Sequence, residues 1–306
     1  MMNALPVREA LYMLIGAHST AFVRGQSLEQ SIRLSIELDF HAFELFADVQ
    51  NNKFGTLATG YWAAGHIRSE WEEIAPLLRN QFKVLTVHAP LEGSGVNITA
   101  SNPGIRANAI EQLQRTIEFA GVIGADVVVI HHGTPAAFVS VEQFFEQSQC
   151  ALMKLVECAH EHGIKLAVEN MHPYFSPEQL MDLIAPFPQE WVGICLDTGH
   201  CPLCYVPHEL RTPQSANEAL ENATRTFGTR LFNIHAHDYD GKSDHRGIGR
   251  GWFDWNRFIG ILHEIGYDGA LMLEINEEDD IPALRHSKLH LETVIRNIGC
   301  SVTTPC

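Results

Sequence analysis

Apolar runs of strand length recur along this chain, and each carries an acidic residue or a histidine at or near its C-terminal end. The runs are MLIGAH to His18, HAFELF with Glu44, FKVLTVH to His88 and DVVVIHH to His131 and His132. KLAVE to Glu169, VGICLD to Asp197, LFNIH to His235 and ALMLE to Glu274 follow. A buried strand has no packing reason to end in charge or imidazole so regularly. Between the runs lie helical patterns with start and stop signals. Ser27 precedes the apolar positions Leu28, Ile32, Leu34, Ile36 and Leu38, and Ser69 with Glu72 has the spacing of a capping box. Further helices are predicted from about Ile105 to Val122, Val141 to His162, Trp255 to Ile265 and Ile281 to Ile298, with Gly124, Gly163 and Gly266 closing the first three. Pro177 and Pro213 mark two more helix starts. Strand and helix in strict alternation predict an α/β fold, a (β/α)8 or TIM barrel, whose strand ends gather on one face.

The length of 306 residues suits one such domain, with its core over about 12–299 and a flexible tail at 300–306. Three longer inserts, Val49–His66, Leu91–Pro103 and Tyr239–Trp252, all follow strands and should form the loops over the active face. No apolar run reaches the roughly 18 residues of a membrane span. The N-terminus lacks a basic start followed by an apolar core, so no secretory signal is expected. The net charge of −16 disfavours polyanions, making nucleic acid an unexpected partner. The 7 cysteines fit a reducing, cytoplasmic setting. Cys201 and Cys204 form a lone CxxC with no second pair to complete a zinc knuckle, and should only line the rim of the site.

Glu169, Asp197, His235 and Glu274 come from successive strand ends and offer a mixed nitrogen and oxygen shell for one divalent ion. Mn²⁺, Mg²⁺, Co²⁺ and Zn²⁺ all suit such donors. A metal on a carbonyl and its neighbouring hydroxyl acidifies the proton between them, and a carboxylate can take and return it. Glu169 and Glu274 are therefore the candidate proton-transfer pair. His88, His131, His200 and His245, with Asp244, either complete further metal sites or bind substrate hydroxyls. Candidates for other substrate contacts are His18, Glu44, His237, Arg246 and Arg250, with His172 and His237 also readable as rim residues. The loop Tyr239–Gly251 carries Lys242, Asp244, His245, Arg246 and Arg250, a set that can close over substrate and meet a phosphate.

The segments IGAHSTAF, VHAPLEGSGVNITASNPGIR, GADVVVIHHG, VEN, CLDTGH, HAHDYDGKSDHRGIGRGWFDW and GYDGALMLEI resemble the xylose-isomerase-like barrel superfamily from Ile15 to Glu274. That superfamily joins sugar and sugar-phosphate isomerases and epimerases with the endonuclease IV group. The resemblance implies that Glu169 and Glu274 are both metal ligands and the acid–base pair, with Asp197 and His235 as the other ligands. In the nuclease branch a metal cluster also uses histidines matching His88, His131, His200 and His245. That branch places an aspartate where Ser243 stands here, with Asp244 shifted by one, and an aromatic wedge where Leu91 stands. AFELF and HAHDYDGK are similar to the isomerase branch, in which a glutamate of the second strand, here Glu44, faces the substrate. The expected function is thus a metal-dependent isomerase or epimerase of a small sugar, sugar phosphate or related hydroxy-ketone, possible as a homo-oligomer. A two- or three-metal phosphodiester hydrolase and a sugar dehydratase are the alternatives, ahead of a non-enzymatic binding barrel.

Overall fold

The computed structural model describes residues 13–23, 26–171 and 175–299, so the expectations for His172 and for the 300–306 tail fall outside the described residues. Its strands are β1 (Leu14–His18), β2 (Ala42–Phe46), β3 (Val84–His88), β4 (Val127–Ile130), β5 (Lys165–Glu169), β6 (Val192–Asp197), β7 (Leu231–Ala236) and β8 (Ala270–Leu273). Each pairs in parallel with the next and β8 closes on β1, giving the closed barrel. The helices are α1 (Leu28–Glu37), α2 (Arg68–Leu78), α3 (Pro103–Ile123), α4 (Val141–His162), α5 (Pro177–Ile184), α6 (His200–Tyr205), α7 (Pro213–Phe227), α8 (Trp255–Ile265) and α9 (Asp280–Asn297). Among the described residues no helix is long and apolar enough to cross a membrane.

The two-residue period of the strands sorts side chains between two layers. Phe43, Leu45, Val87, Val128, Ile130, Leu166, Val168, Ile194 and Leu196 join the helices in the main core. Leu14, Ala42, Ala270 and Met272 pack in a separate small cluster at the floor of the barrel. That floor is tight: a Cβ on Gly16 would lie 2.3 Å from Met272 Sδ and 2.8 Å from Ala42 Cβ. The same alternation carries the barrel-facing set upward from the floor to the polar strand ends.

Local chemistry fixes most helix boundaries. Ser140 Oγ accepts from Gln143 N while Gln143 Oε1 accepts from Ser140 N, so both ends of a capping box start α4. Gly163 follows α4 in the left-handed conformation at φ 70°. At α2 the expected Ser69–Glu72 box is replaced. The helix begins at Arg68, two residues earlier in register, and Glu70 accepts from Ile67 N at 2.8 Å. Ile67 offers no side-chain acceptor, so only the glutamate half of the box forms. The short α6 was not anticipated, because its six residues are too few to show a period.

The three inserts lie over the C-terminal face. Asn51 and Leu57 pair to make a small antiparallel hairpin after β2. After β7, Asp238 and Arg246 pair backbone to backbone, N to O at 2.7 and 3.0 Å, and pinch the loop that carries Asp244 and His245.

Candidate metal and active site

A cavity of about 240 Å³ opens at the C-terminal face, with His88, His131, Glu169, His200, His245 and Glu274 on its wall. Gln50, Asn52 and Ala58 of the β2 hairpin roof it, and Leu91 lies on its side. Among the described residues no lysine or arginine lines it.

His235 is the hub. Its Nδ1 lies 3.0 Å from Glu274 Oε2, 3.6 Å from Glu169 Oε2 and 3.9 Å from Asp197 Oδ2. Its Nε2 meets Glu44 Oε1 at 2.7 Å. Despite three carboxylates close by, Nδ1 is fully buried and makes no well-aligned hydrogen bond among the described residues. A buried ring nitrogen facing several carboxylates has, once it gives up its proton, the donor chemistry of a divalent-cation site. The side chains fall into three overlapping groups whose ligand atoms lie within 4.8 Å of one another: Asp197, His235 and Glu274; His88, Glu169 and His235; Asp197, His200 and His245.

Backbone and carboxylate partners fix which nitrogen each imidazole turns inward. His88 Nδ1 is held on Ala89 O at 2.8 Å, leaving Nε2 3.2 Å from Glu169 Oε2. His131 Nδ1 pairs with Glu92 at 2.7 Å, leaving Nε2 3.4 Å from the same oxygen. His200 Nδ1 is 3.2 Å from Glu169 Oε1, and its Nε2 is 3.9 Å from Asp244. His245 Nδ1 lies 3.1 Å from Asp244, and Nε2 lies 3.8 Å from Glu274. Glu169 thus sits among four imidazoles. His237 behaves otherwise. The His245 N–H donates to its Nδ1 at 2.8 Å, so Nε2 carries the proton and donates to Asp197 Oδ2 at 2.8 Å. It orients Asp197 rather than offering a lone pair.

Acidic groups at this depth owe their charge to the histidines. Burial alone would raise Glu169, but the charges of His235 and His131 hold its carboxyl well below the ordinary carboxylate range. Glu274 is likewise lowered against its burial, by His235 and then His18. Burial pulls His131 down, yet Glu92 and Glu169 push it up to about 10. Histidines are therefore standing in for cationic charge in a cluster rich in carboxylates, which is what a bound divalent ion would relieve.

The turn after β6 shows how the sequence delivers these groups. Asp197 Oδ1 accepts from His200 N at 2.8 Å, and Thr198 Oγ1 donates to His237 O at 2.6 Å. A Cβ on Gly199 would come 2.2 Å from His237 Cε1, so only glycine lets this turn lie against β7. Asn170 brackets Asp197, accepting from its N at 2.6 Å and donating to its O at 3.0 Å. His245 holds a left-handed φ of 53°, fixed by its N–H on His237 and by its carbonyl accepting from Asn276 N at 2.8 Å.

Several sequence candidates lie elsewhere. Glu44 is fully buried and faces the barrel floor, not the cavity. Burial would raise its carboxyl, but His235 and His18 hold it below the ordinary range. His18 is also buried, its Nε2 3.3 Å from Glu44. Arg246 and Arg250 are absent from the cavity wall and engaged by acids. Arg250 makes a bidentate pair with Asp279 at 2.9 and 2.8 Å, and Arg246 donates to Glu277 at 2.9 Å. Carboxylates of the β8–α9 connection thus pair with both guanidiniums. His132 turns away from the site and packs against Phe144 and Phe175. Cys201 is buried with its Sγ 3.5 Å from Asp197 O and does not line the cavity. Asn170 and Glu92 were missed by the sequence reading. The side-by-side VEN and CLD strand ends hinted at the first, and only the loop's path after β3 reveals the second.

A barrel of this kind is shared with known proteins. The model of the xylose isomerase-like TIM barrel family matches residues 32–294. The chain belongs to that family. It is 29% identical over 299 residues to the uncharacterized protein MJ1311 of Methanocaldococcus jannaschii, covering 94% of this chain and 93% of that one. It is also 25% identical over 243 residues to a probable endonuclease 4 of Mycobacterium leprae, covering 73% of this chain and 85% of the relative. Among solved structures, a D-tagatose 3-epimerase-like protein superposes with a TM-score of 0.72 at 26% identity, covering 94% of this chain and 98% of that one.

Proposed function

We propose that this protein is a divalent-metal-dependent isomerase or epimerase of a small carbohydrate. The observation that carries the reading is that Glu169, at the end of β5, and Glu274, the residue after β8, line one small cavity and both reach His235 Nδ1. Its volume of about 240 Å³ lies below the roughly 300–1,000 Å³ of drug-sized clefts, which suits a single sugar. The 26% identical D-tagatose 3-epimerase-like structure supports the same substrate class.

In this account Glu169, Asp197, His235 and Glu274 hold the ion. When bound, it supplies electrophilic stabilisation to the oxygen on which negative charge develops. One of the two glutamates takes the proton from the carbon beside the carbonyl, giving an enediolate, and the other returns a proton. Return to the same carbon from the opposite side inverts it, while return to the neighbouring carbon isomerises the sugar. His88, His131, His200 and His245 hydrogen-bond the hydroxyls and fix the sugar's orientation. With Arg246 and Arg250 engaged by Glu277 and Asp279, and no cation on the cavity wall among the described residues, an unphosphorylated sugar is the favoured substrate.

One specific observation favours a second reading, a multi-metal phosphodiester hydrolase. Asp197, His200 and His245 make a further ligand group, and His88 and His131 both face Glu169, which is more donors than one ion requires. The endonuclease 4 relative, at 25% identity, points the same way. Metal content of protein purified without chelator separates the two. One tightly held ion per chain is the expected result, and two or more tightly held zinc ions would favour the hydrolase.

A further inference from the structure

The carboxylate of Glu44 has no place in the proposed chemistry, yet it is among the most enclosed charged groups of the chain. It lies on β2 beside His18 of β1 and Thr86 of β3, one layer below the cavity, where Phe46 next along β2 reaches the wall. Three neighbours on its two oxygens present a hydrogen. Oε2 receives the Asn233 amide at 2.7 Å and the Thr86 hydroxyl. Oε1 receives His235 Nε2 at 2.7 Å. His18 Nδ1 is held by Thr20 Oγ1 at 2.6 Å, and its Nε2 lies 3.3 Å from the same Oε1 without an aligned hydrogen bond. Three donors bond these two oxygens and His18 Nε2 lies beside them, an arrangement that suits a carboxylate.

The consequence falls on His235. A neutral imidazole carries one proton, and a hydrogen bond at one nitrogen decides which nitrogen keeps its lone pair. In the neutral ring that metal binding requires, the hydrogen bond to Glu44 keeps the single proton on Nε2 and leaves the Nδ1 lone pair facing Glu169, Asp197 and Glu274. We propose that Glu44 is the positioning residue of the metal centre: it locks His235 in the tautomer and ring orientation that make Nδ1 a ligand. This inference rests on the proposed metal site, but not on the identity of the substrate.

Substituting Glu44→Gln retains shape and reverses the polarity of one arm. If the amide oxygen stays on His235 Nε2, the amide NH₂ meets the Asn233 NH₂. If it turns over, the NH₂ faces His235, whose proton then moves to Nδ1, where the lone pair is needed. The companion variant Glu44→Gln/Asn233→Asp gives the amide an acceptor at position 233 and lets its oxygen return to His235. The readout is the dissociation constant for Mn²⁺ and Zn²⁺ by chelator competition, with folding followed by circular dichroism. E44Q is expected to bind each ion about 10–100-fold more weakly, and E44Q/N233D to recover to within about threefold of wild type.

A folded E44Q that binds as wild type overturns the proposal, as does a folded double variant that stays as weak as E44Q. If E44Q alone fails to fold, wild-type affinity in the double variant supports the proposal and weak affinity overturns it. Failure of both to fold overturns it in favour of a purely structural carboxylate. If wild type takes up neither ion, the proposed function falls. The positioning claim is then read from the ¹⁵N spectrum of metal-free protein at a pH where the ring is neutral. A proton on His235 Nε2 supports it, and a proton on Nδ1 overturns it.

Discussion

Asp238 is the sharpest test of how the seventh loop is built. It is fully buried directly after β7. Its Oδ1 accepts from Tyr239 N at 3.0 Å and Phe253 N at 3.2 Å. Its Oδ2 accepts from Gly249 N at 3.0 Å and Trp255 Nε1 at 3.1 Å. The carboxylate thus ties the start of the loop to its middle, to its end and to α8. In Asp238→Asn the side chain keeps its size, but its NH₂ must face two of the four donors. Two bonds to a charged acceptor are lost, each worth about 1.5–3 kcal/mol, so the expected destabilisation is about 3–6 kcal/mol. At roughly 2 °C per kcal/mol for a chain of this size, Tm should fall by about 6–12 °C. Urea unfolding followed by circular dichroism should show a lower midpoint with an unchanged slope. Because the loop delivers His245, its proposed hydrogen bond to a sugar hydroxyl should also weaken and KM should rise. A D238N protein that melts within about 2 °C of wild type would refute this account of the loop.

Other consequences are as direct. Glu169→Gln and Glu274→Gln should each lower turnover by about 10²–10⁴-fold, with metal occupancy measured in both because each residue is also a ligand. Undiminished activity in fully metal-loaded variants at both positions would falsify the proton-transfer roles. Arg250→Ala removes a part-exposed ion pair outside the cavity, so stability should change by no more than about 1 kcal/mol and KM for an unphosphorylated sugar should stay within about twofold. A tenfold rise in KM confined to phosphorylated sugars would show that the arginine leaves Asp279 to meet substrate. Ser140→Ala should cost about 1 kcal/mol by urea denaturation, through the lost cap of α4, and should leave metal affinity untouched.

The barrel was legible because its strands are short apolar runs with polar ends and its helices carry punctuation such as Ser140 and Gly163. The histidines and carboxylates of the cavity were legible for the same reason, since the last barrel-facing position of a strand must emerge at the mouth. What escaped was depth and direction. Glu44 looks equivalent to Glu169 in the sequence, but it lies two residues before its strand ends, so the period of two buries it one layer lower. His237 reads in the sequence as a substrate contact or a rim residue, and the backbone N–H of His245 on its Nδ1 decides for a supporting role beside Asp197. Arg246 and Arg250 looked free for phosphate because their partners, Glu277 and Asp279, come from a different loop. Hydrogen-bond direction and contacts between loops depend on tertiary placement that spacing along a chain does not encode.

The most direct measurement is proton NMR of metal-reconstituted protein incubated with a panel of ketoses in deuterated water, beside a chelator-treated control. The account predicts appearance of an epimer or isomer of one ketose, with deuterium at the carbon next to the carbonyl wherever the glutamate exchanges its proton with solvent. That product should vanish on chelation and return when Mn²⁺, Mg²⁺, Co²⁺ or Zn²⁺ is restored. Absence of any epimer, isomer or deuterium with every ketose, alongside metal-dependent cleavage of a phosphodiester by the same preparation, would contradict it.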